Sequence, residues 1–293
     1  ILTGEGADEL FLGYAQYDVM QRQARLAALF SGICPSPLRR SVLRAAQSVL
    51  GEDRMLLQRL AMEPDALAAS FIEWIPRELA AELCAPGPAS AGNSSSAVDA
   101  ARAMFRSGPQ DRDFLSRVTY MDFKAFLITL LMKQDKMSMA ASIESRVPFL
   151  DHDLVEYGYR LPTPQKLSRG IGKKILKDIA AEYFPREFLH RKKQGFPVPV
   201  IPWLTQSATR ARFEEVILDR RTVSRGIFDQ HLVERALRRF RDGEGEENRS
   251  AAYFIWNLVN FELWQRVFLD QVPAAISTRP SLSAPVSALR IRA

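Results

Sequence analysis

The sequence predicts a mostly α-helical fold that is the C-terminal part of an α/β domain, with the β-sheet largely missing. Residues 1–3 have the character of a strand end, and so short a strand needs parallel neighbours that are covered on both faces. A glycine-bounded turn follows at residues 4–9. Helical periodicity then dominates up to about residue 270, so we expect one domain portion over residues 1–270.

The first helical region is predicted to run from residue 13 to about residue 82. Its breaks are expected where helix-breaking residues occur, at residues 32–37, at Gly51 and at Pro64. Residues 85–96 are rich in Ala, Ser, Gly and Pro, and this composition predicts a flexible loop.

A long helix is predicted to begin at about Asp111. Apolar residues recur there at spacings of 4, 3, 4, 3 and 4, which indicates one continuous buried stripe: Phe114, Val118, Met121, Ala125, Ile128 and Met132. Leu127, Leu130 and Leu131 widen the stripe. We therefore expect the second half of this helix to be buried on most sides.

Shorter helices are predicted beyond this region, at about residues 154–159, 173–183 and 251–269. In the last of them one face is expected to be apolar: Trp256, Val259, Leu263 and Val267. Residues 271–293 contain few large apolar side chains, and we predict that they form a disordered tail.

Composition narrows the classes of function. Apolar residues make up 47% of the chain, but no run approaches the twenty that span a membrane, so no membrane partner is expected. The net charge of +6 comes from scattered basic residues, which disfavours nucleic acid as a partner. Cys34 and Cys84 are isolated thiols, as is usual in the cytoplasm, and the three histidines are not spaced as zinc ligands or as part of a catalytic triad.

The turn at residues 4–9 is the first candidate site. A strand-to-helix turn is where open parallel sheets bind ligands, and glycines at positions 4 and 6 let the backbone approach a ligand closely. Glu5 and Asp8 are three residues apart and can share a helical face, where they could hold Mg²⁺ or supply a base. Alternatively, Asp8 and Glu9 only complement the dipole of the helix N-terminus.

Two further segments are candidate anion or substrate sites. Arg146 begins a corner that ends at Asp151, and its guanidinium could pair with Asp151 or meet a substrate carboxylate. Lys173 opens a helix after Gly172, where a lysine suits a pyrophosphate. A solvated basic face is the alternative for Lys173, and the basic loop 191–193 presents the same choice.

The order and the amino-acid sequences of four segments resemble one family. The segments ILTGEGADELFLGY (1–14), MKQDKMSMAASIESRVPFLD (132–151), GKKIL (172–176) and RKKQGFP (191–197) are similar to the synthetase domain of glutamine-dependent asparagine synthetases. The resemblance extends from residue 1 to about residue 270. It implies the adenine nucleotide α-hydrolase-like fold of the pyrophosphatase-loop ATP family.

The resemblance also implies a chemistry and a set of site residues. ATP and aspartate would give β-aspartyl-AMP and pyrophosphate, and ammonia from glutamine would then attack the acyl-adenylate. Glu5 would take a proton from the ammonia, Asp8 would help to hold Mg²⁺, and Lys173 would stabilise the departing pyrophosphate. By the same resemblance Lys193 would contact ATP, and four residues would bind or orient the substrate: Thr3, Gly4, Gly6 and Arg146.

Two departures from the family pattern shape the expectation further. The nucleotide loop Ser-Gly-Gly-x-Asp-Ser does not occur in this chain, and neither does the glutaminase domain that would supply the ammonia. We therefore expect an N-terminally truncated chain that is inactive alone. In addition, many relatives have an acidic residue where Thr129 stands, which could recognise the aspartate amino group. Thr129 therefore favours a carboxylate other than aspartate, and the expected substrate is aspartate or a related carboxylate.

Other interpretations remain open at this stage. An amidotransferase could act on another carboxylate, such as an exopolysaccharide sugar acid or a β-lactam precursor. A non-catalytic helical interaction module that meets an acidic partner is an interpretation from a different class. A homodimer is one assembly that the resemblance allows.

Overall fold

A computed structural model describes residues 1–34, 38–39, 41–42, 54–72, 97–191, 198–242 and 245–270. The chain divides into two compact units. The first unit comprises Ile1–Trp74 and Asn93–Gln194, and the second comprises Ile75–Gly92 and Gly195–Ala293. The predicted tail at 271–293 and the predicted loop at 85–96 lie outside the described residues. The single domain portion over residues 1–270 therefore stays a prediction.

Helices build the first unit. They are α1 (Ala7–Leu10), α2 (Ala15–Ile33), α3 (Arg54–Leu60), α4 (Pro64–Ala69), α5 (Ala97–Ser107), α6 (Phe114–Lys124), α7 (Phe126–Ala140), a 3-10 helix (Pro148–Leu150), α8 (His152–Arg160), α9 (Thr163–Lys166), α10 (Lys174–Ala180) and α11 (Arg186–Leu189). Two isolated β-bridges join described residues of this unit. Leu2 pairs in parallel with Arg146, and Ser168 pairs antiparallel with Ile171. The prediction of a mostly α-helical chain is confirmed.

The N-terminal helices begin and end at the predicted breaks only in part. Helix α2 ends at Ile33 and α4 begins at Pro64, as the helix-breaking residues predict. The break expected at Gly51 lies outside the described residues. The turn at residues 4–9 leads into α1 alone, which has four residues. A corner then separates α1 from α2, because Leu12 adopts a left-handed conformation with φ 58°.

The predicted long helix after Asp111 is in fact two helices. Helix α6 starts after Asp113, whose side chain accepts a hydrogen bond from the Ser116 N–H. Ala125, with φ −124° and ψ −69°, interrupts the helix before α7 begins. The expectation of one continuous buried stripe was therefore wrong. Ile128 is 49% exposed and Met132 is 53% exposed, since a face cannot keep its direction through a non-helical residue.

Two apolar clusters form the core of the first unit. The larger joins α2, α4, α5 and α6, and the smaller lies under the α1 corner and contains Leu10, Phe11 and Leu161. Each fully buried large side chain contributes about 1.5–3 kcal/mol relative to an exposed one. The buried residues of the larger cluster are Leu12, Tyr17, Met20, Ala68, Ala69, Ala101, Phe105, Leu115, Val118, Met121 and Leu167.

A buried polar pair crosses the larger cluster. The Tyr17 hydroxyl donates a hydrogen bond of 2.7 Å to Oδ2 of Asp122 and so ties α2 to α6. Burial raises the pKa of Asp122 from 3.8 to about 6, although the hydrogen bond from Tyr17 acts in the opposite direction. The folded protein therefore binds the Asp122 proton more tightly than the unfolded chain does.

This difference predicts that the free energy of unfolding falls as the pH rises from about 4 to 6. In that window Asp122 carries more protons in the folded state than in the unfolded state, and a full proton corresponds to about 1.4 kcal/mol per pH unit. Asp122→Asn keeps an acceptor for Tyr17 but does not titrate, so it should reduce this slope. Urea unfolding followed by circular dichroism at pH 4, 5, 6 and 7 measures it. Equal slopes in the two proteins would contradict the prediction.

The second unit is also helical in its described residues. Its helices are α12 (Val200–Thr205), α13 (Ser207–Leu218), α14 (Arg220–Ser224), α15 (Gln230–Asp242) and α16 (Gly245–Phe268). They share an apolar core composed of Val200, Leu204, Ile217, Val233, Leu237, Phe240, Ala251, Ala252, Phe254, Ile255, Leu258 and Val259. No helix in the described ranges of the chain is long and apolar enough to cross a bilayer.

The predicted apolar face of α16 was wrong in its second half. Val259 is buried, but Leu263 and Val267 are exposed. The buried positions in this part of the helix are instead Glu262 and Gln265. The Glu262 carboxylate accepts hydrogen bonds from Arg225 (2.9 Å) and Arg266 (2.8 Å). Two guanidinium groups offset the desolvation cost of one buried carboxylate. Hydrophobic periodicity in the sequence does not indicate such pairing.

Candidate active site

The glycine-bounded turn begins where the N-terminal strand end meets Arg146. The Thr3 N–H donates to the Arg146 carbonyl (2.9 Å), and the Arg146 N–H donates to the Ile1 carbonyl (2.8 Å). Gly6 then adopts φ 87°, and a Cβ there would lie 2.3 Å from Cδ2 of Leu150. The backbone conformation therefore favours glycine at position 6, and any other residue would also displace the Leu150 side chain.

A polar atom without a partner lies at the start of this turn. Among the described residues, the Thr3 Oγ1 hydroxyl is buried and makes no hydrogen bond. Leaving a buried hydroxyl unsatisfied costs about 1–3 kcal/mol. This hydroxyl is therefore a candidate contact for a ligand at the turn. Gly4, the next residue, is exposed, and a Cβ there would meet nothing within 4 Å.

Asp8 and Lys173 meet at the end of the turn. Nζ of Lys173 lies 3.1 Å from Oδ1 of Asp8, and the two side chains are 29% and 20% exposed. These residues are 165 positions apart in the sequence (173 minus 8). The structure thus brings the candidate pyrophosphate residue against the candidate metal ligand, in a place that remains accessible to solvent.

Backbone contacts hold Lys173 in this position. Its N–H donates to the Phe11 carbonyl (2.9 Å), and it precedes α10 in a left-handed conformation with φ 53° and ψ 34°. A Cβ on Gly172 would lie 2.1 Å from the Leu12 carbonyl oxygen. A Cβ on Gly13 would lie 2.1 Å from Oδ1 of Asp8 and 2.3 Å from Cε of Lys173. Two glycines therefore permit the close approach of the loop to the corner.

Glu5 and Glu9 surround Asp8 with negative charge. Glu5 is partly exposed on the turn, whereas Glu9 is buried. Burial is the main reason that the pKa of Glu9 is raised above its ordinary value, and the charges of Asp8 and Glu5 raise it further. The turn therefore concentrates negative charge opposite the Lys173 ammonium.

The burial of Glu9 was missed by sequence reasoning, which treated this residue as a complement to a helix dipole. Its Oε1 accepts a hydrogen bond of 2.7 Å from the Tyr14 hydroxyl. Residues five apart do not share a helical face, so no helical periodicity signals this pair. The corner at residues 11–14 brings them together.

Of the two contacts suggested for Arg146, the one with Asp151 is not made. Its guanidinium bonds to Oε1 of Glu144 at 2.6 Å, and both side chains are exposed. The pairing with Asp151 was wrong, because Asp151 instead caps α8 by accepting from the Asp153 and Leu154 N–H groups. An exposed ion pair of this kind contributes little stability and is easily exchanged for another partner. Lys193 lies outside the described residues.

The donor set at the turn suits a hard cation. The described part of the chain contains no group of three or more His, Cys, Asp or Glu residues arranged to hold a metal. Mg²⁺, however, is usually bound by one or two carboxylates together with water and phosphate oxygens. The Asp8 carboxylate, next to a lysine that can meet phosphate, fits such a shared site.

A lysine opposite an acidic glycine-rich turn is an arrangement suited to phosphate oxygens and a divalent cation. A family model described as asparagine synthase matches residues 1–266. The chain belongs to the asparagine synthase family, and hence to a family of ligases.

Curated relatives agree with this assignment. A putative glutamine-hydrolysing asparagine synthetase of Mycobacterium bovis is 29% identical over 305 residues, covering 97% of this chain and 41% of the relative. Glutamine-hydrolysing asparagine synthetase 1 of Bacillus subtilis is 27% identical over 289 residues, covering 95% of this chain and 42% of the relative. The chain thus spans about two fifths of these relatives' length. No solved structure matches it.

Proposed function

We propose that the full-length gene product makes asparagine from aspartate by ATP-dependent amide formation, through β-aspartyl-AMP and with ammonia released from glutamine. The contact of 3.1 Å between Lys173 and Asp8 is the observation that carries the proposal. It joins an ammonium group suited to phosphate oxygens with a carboxylate suited to a metal ion, at a turn that is accessible to solvent. The two relatives, both named as glutamine-hydrolysing asparagine synthetases, support the same reaction.

In the first step an aspartate carboxylate oxygen attacks the α-phosphorus of ATP. The bond from that phosphorus to the bridging oxygen breaks, and the negative charge that develops moves onto pyrophosphate. The Lys173 ammonium stabilises this charge without exchanging a proton. Lys193 is proposed to contact the same phosphates.

Asp8 is the residue that would hold Mg²⁺, and the bound ion would neutralise part of the triphosphate charge. Thr3, with its unpartnered hydroxyl, contacts the substrate in this proposal, together with the exposed backbone at Gly4 and the backbone of Gly6. Arg146 can exchange its exposed contact with Glu144 for a substrate carboxylate.

Glu5 acts in the second step. Its carboxylate takes a proton from ammonia as the nitrogen attacks the acyl carbon, and AMP leaves with the electrons of the acyl–oxygen bond. The partial exposure of Glu5 at the turn suits a residue that must meet a diffusing or channelled ammonia molecule.

The finer assignment of the fold belongs to the same proposal. In an adenine nucleotide α-hydrolase-like domain, ligands bind beyond the carboxyl ends of parallel strands. The parallel bridge at Leu2 ends immediately before the acidic turn, which agrees with that placement. A cytoplasmic enzyme that is free of nucleic acid, and that can form a homodimer, remains the expected context.

Thr129 favours a second candidate, an amidotransferase that acts on a different carboxylate. Thr129 is an exposed residue of α7, and its hydroxyl donates to the Ala125 carbonyl at 3.4 Å. A hydroxyl binds a substrate ammonium less strongly than the acidic residue that many relatives carry there. A substrate without an amino group at that position would be preferred under this alternative.

The test supplies the full-length gene product with ATP, Mg²⁺ and glutamine, and measures pyrophosphate and amide with each candidate acid. We expect aspartate to give equal amounts of AMP and asparagine. Glu5→Gln should slow amide formation more than it slows the aspartate-dependent exchange of pyrophosphate into ATP, because the base acts after adenylation. Amide formation on another acid alone would select the second candidate. If no candidate acid stimulates pyrophosphate release, both candidates are overturned. The non-catalytic helical interaction module would then be the remaining interpretation.

A further inference from the structure

We propose that Glu9 and Tyr14 are positioning residues, which hold the corner that aligns Asp8 with Lys173. This inference rests on the proposed function, since the alignment matters for adenylation. The Tyr14 hydroxyl donates to Glu9, and the corner that this bond closes begins at Asp8 and contacts Lys173 through Phe11.

Residues 8–14 form a closed corner with two cross-links. The Gly13 N–H donates to the Asp8 carbonyl at 2.8 Å, and the Tyr14 hydroxyl donates to Oε1 of Glu9 at 2.7 Å. Glu9 is 1% exposed, so its carboxylate has lost nearly all contact with water. A hydrogen bond that is shielded from water is stronger than an exposed one, which makes this cross-link a strong local constraint.

Lys173 docks onto the same corner. Its backbone N–H donates to the carbonyl of Phe11, which lies midway between the two ends of the corner. Asp8 begins the corner, so both partners of the ion pair depend on its shape. A displacement of about 1 Å at reacting groups can cost on the order of a hundredfold in rate.

Tyr14→Phe is a conservative way to loosen the corner. The ring of Tyr14 packs against Tyr17 and Phe126 with centroid distances of 5.6 and 5.9 Å, and phenylalanine can keep both contacts. The change removes only the hydroxyl that donates a hydrogen bond to Glu9.

Tyr17→Phe is the matched control. It deletes a hydroxyl that donates to a carboxylate at the same distance, 2.7 Å, but the acceptor is Asp122 on α6. That bond joins two helices and does not cross-link residues 8–14. A purely structural role for both tyrosines predicts the same outcome for the two variants, namely lower stability and unchanged turnover of the folded fraction.

The experiment compares Tyr14→Phe, Tyr17→Phe, Glu9→Gln and Glu9→Ala in the full-length gene product. Below the unfolding temperature, we expect Tyr14→Phe and Glu9→Ala to lower kcat for pyrophosphate release by about tenfold, with KM for ATP changed less than about twofold. Glu9→Gln keeps an acceptor oxygen and should restore most of the rate. Tyr17→Phe should lower Tm without changing kcat.

A second readout does not depend on activity. Mild acylation of surface amines, followed by mass spectrometry, compares the reactivity of Lys173 with that of Lys174. We expect Lys173 to react at least about twofold faster in Tyr14→Phe, because a looser contact with Asp8 frees its amine, and to be unchanged in Tyr17→Phe.

The outcomes separate this inference from the proposed function. Equal kcat in Tyr14→Phe and Tyr17→Phe, or unchanged Lys173 reactivity in Tyr14→Phe, would overturn the positioning role. Glu9→Gln as impaired as Glu9→Ala would overturn it too, because charge and not the hydrogen bond would then be the cause. A wild-type protein without pyrophosphate release, but with the expected reactivity shift, would reject the proposed function and leave the geometric role of Glu9 and Tyr14 standing.

Discussion

Lys173→Met should lower the rate of aspartate-dependent pyrophosphate release by about 10²–10³-fold, since removing one group that stabilises transition-state charge typically has an effect of this size. Methionine preserves most of the length of the side chain and leaves the backbone contact with Phe11 in place. The partly exposed ion pair with Asp8 contributes only about 0–1 kcal/mol to stability. The variant should therefore remain folded while it loses activity, as thermal unfolding and a pyrophosphate assay can show.

Lys174→Met provides the matched control for this variant. Lys174 is the next residue, and its ammonium pairs with Asp178 one turn further along α10. The substitution removes the same charge from the same segment without touching Asp8. A comparable loss of activity in both variants would mean that general basic charge is responsible, and activity retained by Lys173→Met would remove Lys173 from the site.

Gly172→Ala should destabilise the first unit by about 3 kcal/mol or more, the upper range for overpacking. The added methyl would lie 2.1 Å from the Leu12 carbonyl oxygen and 3.2 Å from Cα of Gly13. These are backbone atoms, which cannot rotate out of the way. The loop before α10 would have to leave the corner, and a shift of the urea midpoint measures the cost.

Gly13→Ala gives the contrasting case. Its added methyl would meet Oδ1 of Asp8 and Cε of Lys173, both near the ends of flexible side chains. These ends can turn aside, so we expect a smaller loss of stability together with a broken ion pair and little pyrophosphate release. A larger loss of stability in Gly13→Ala than in Gly172→Ala would contradict this account.

Local chemistry made several elements of the fold predictable. Pro64 opens α4, and the helix expected at about residues 154–159 lies within α8, which Asp151 caps. The single interruption at Ala125 was not predictable, because alanine favours helices and only its surroundings impose φ −124°. That one residue decides whether Ile128 and Met132 face the core or solvent.

The residues of the candidate site were predictable in part, but several of their contacts were not. The acidic turn and Lys173 stand out as residue types in suitable local contexts, and the resemblance to one family assigned them to the same reaction. The contact between Glu9 and Tyr14 depends on the left-handed Leu12, and the pairing of Glu262 with Arg225 joins distant helices. Such contacts follow from tertiary structure, which periodicity in a single sequence does not encode.

The left-handed backbone of Lys173 has a consequence for how this position can change. At φ 53° a side chain costs roughly 1–2 kcal/mol relative to the right-handed conformation, whereas glycine is accommodated there freely. Random substitution followed by selection for heat resistance alone would therefore enrich glycine at position 173 and discard the amine. A thermostable descendant obtained in that way would be a well-folded protein with an empty place opposite Asp8.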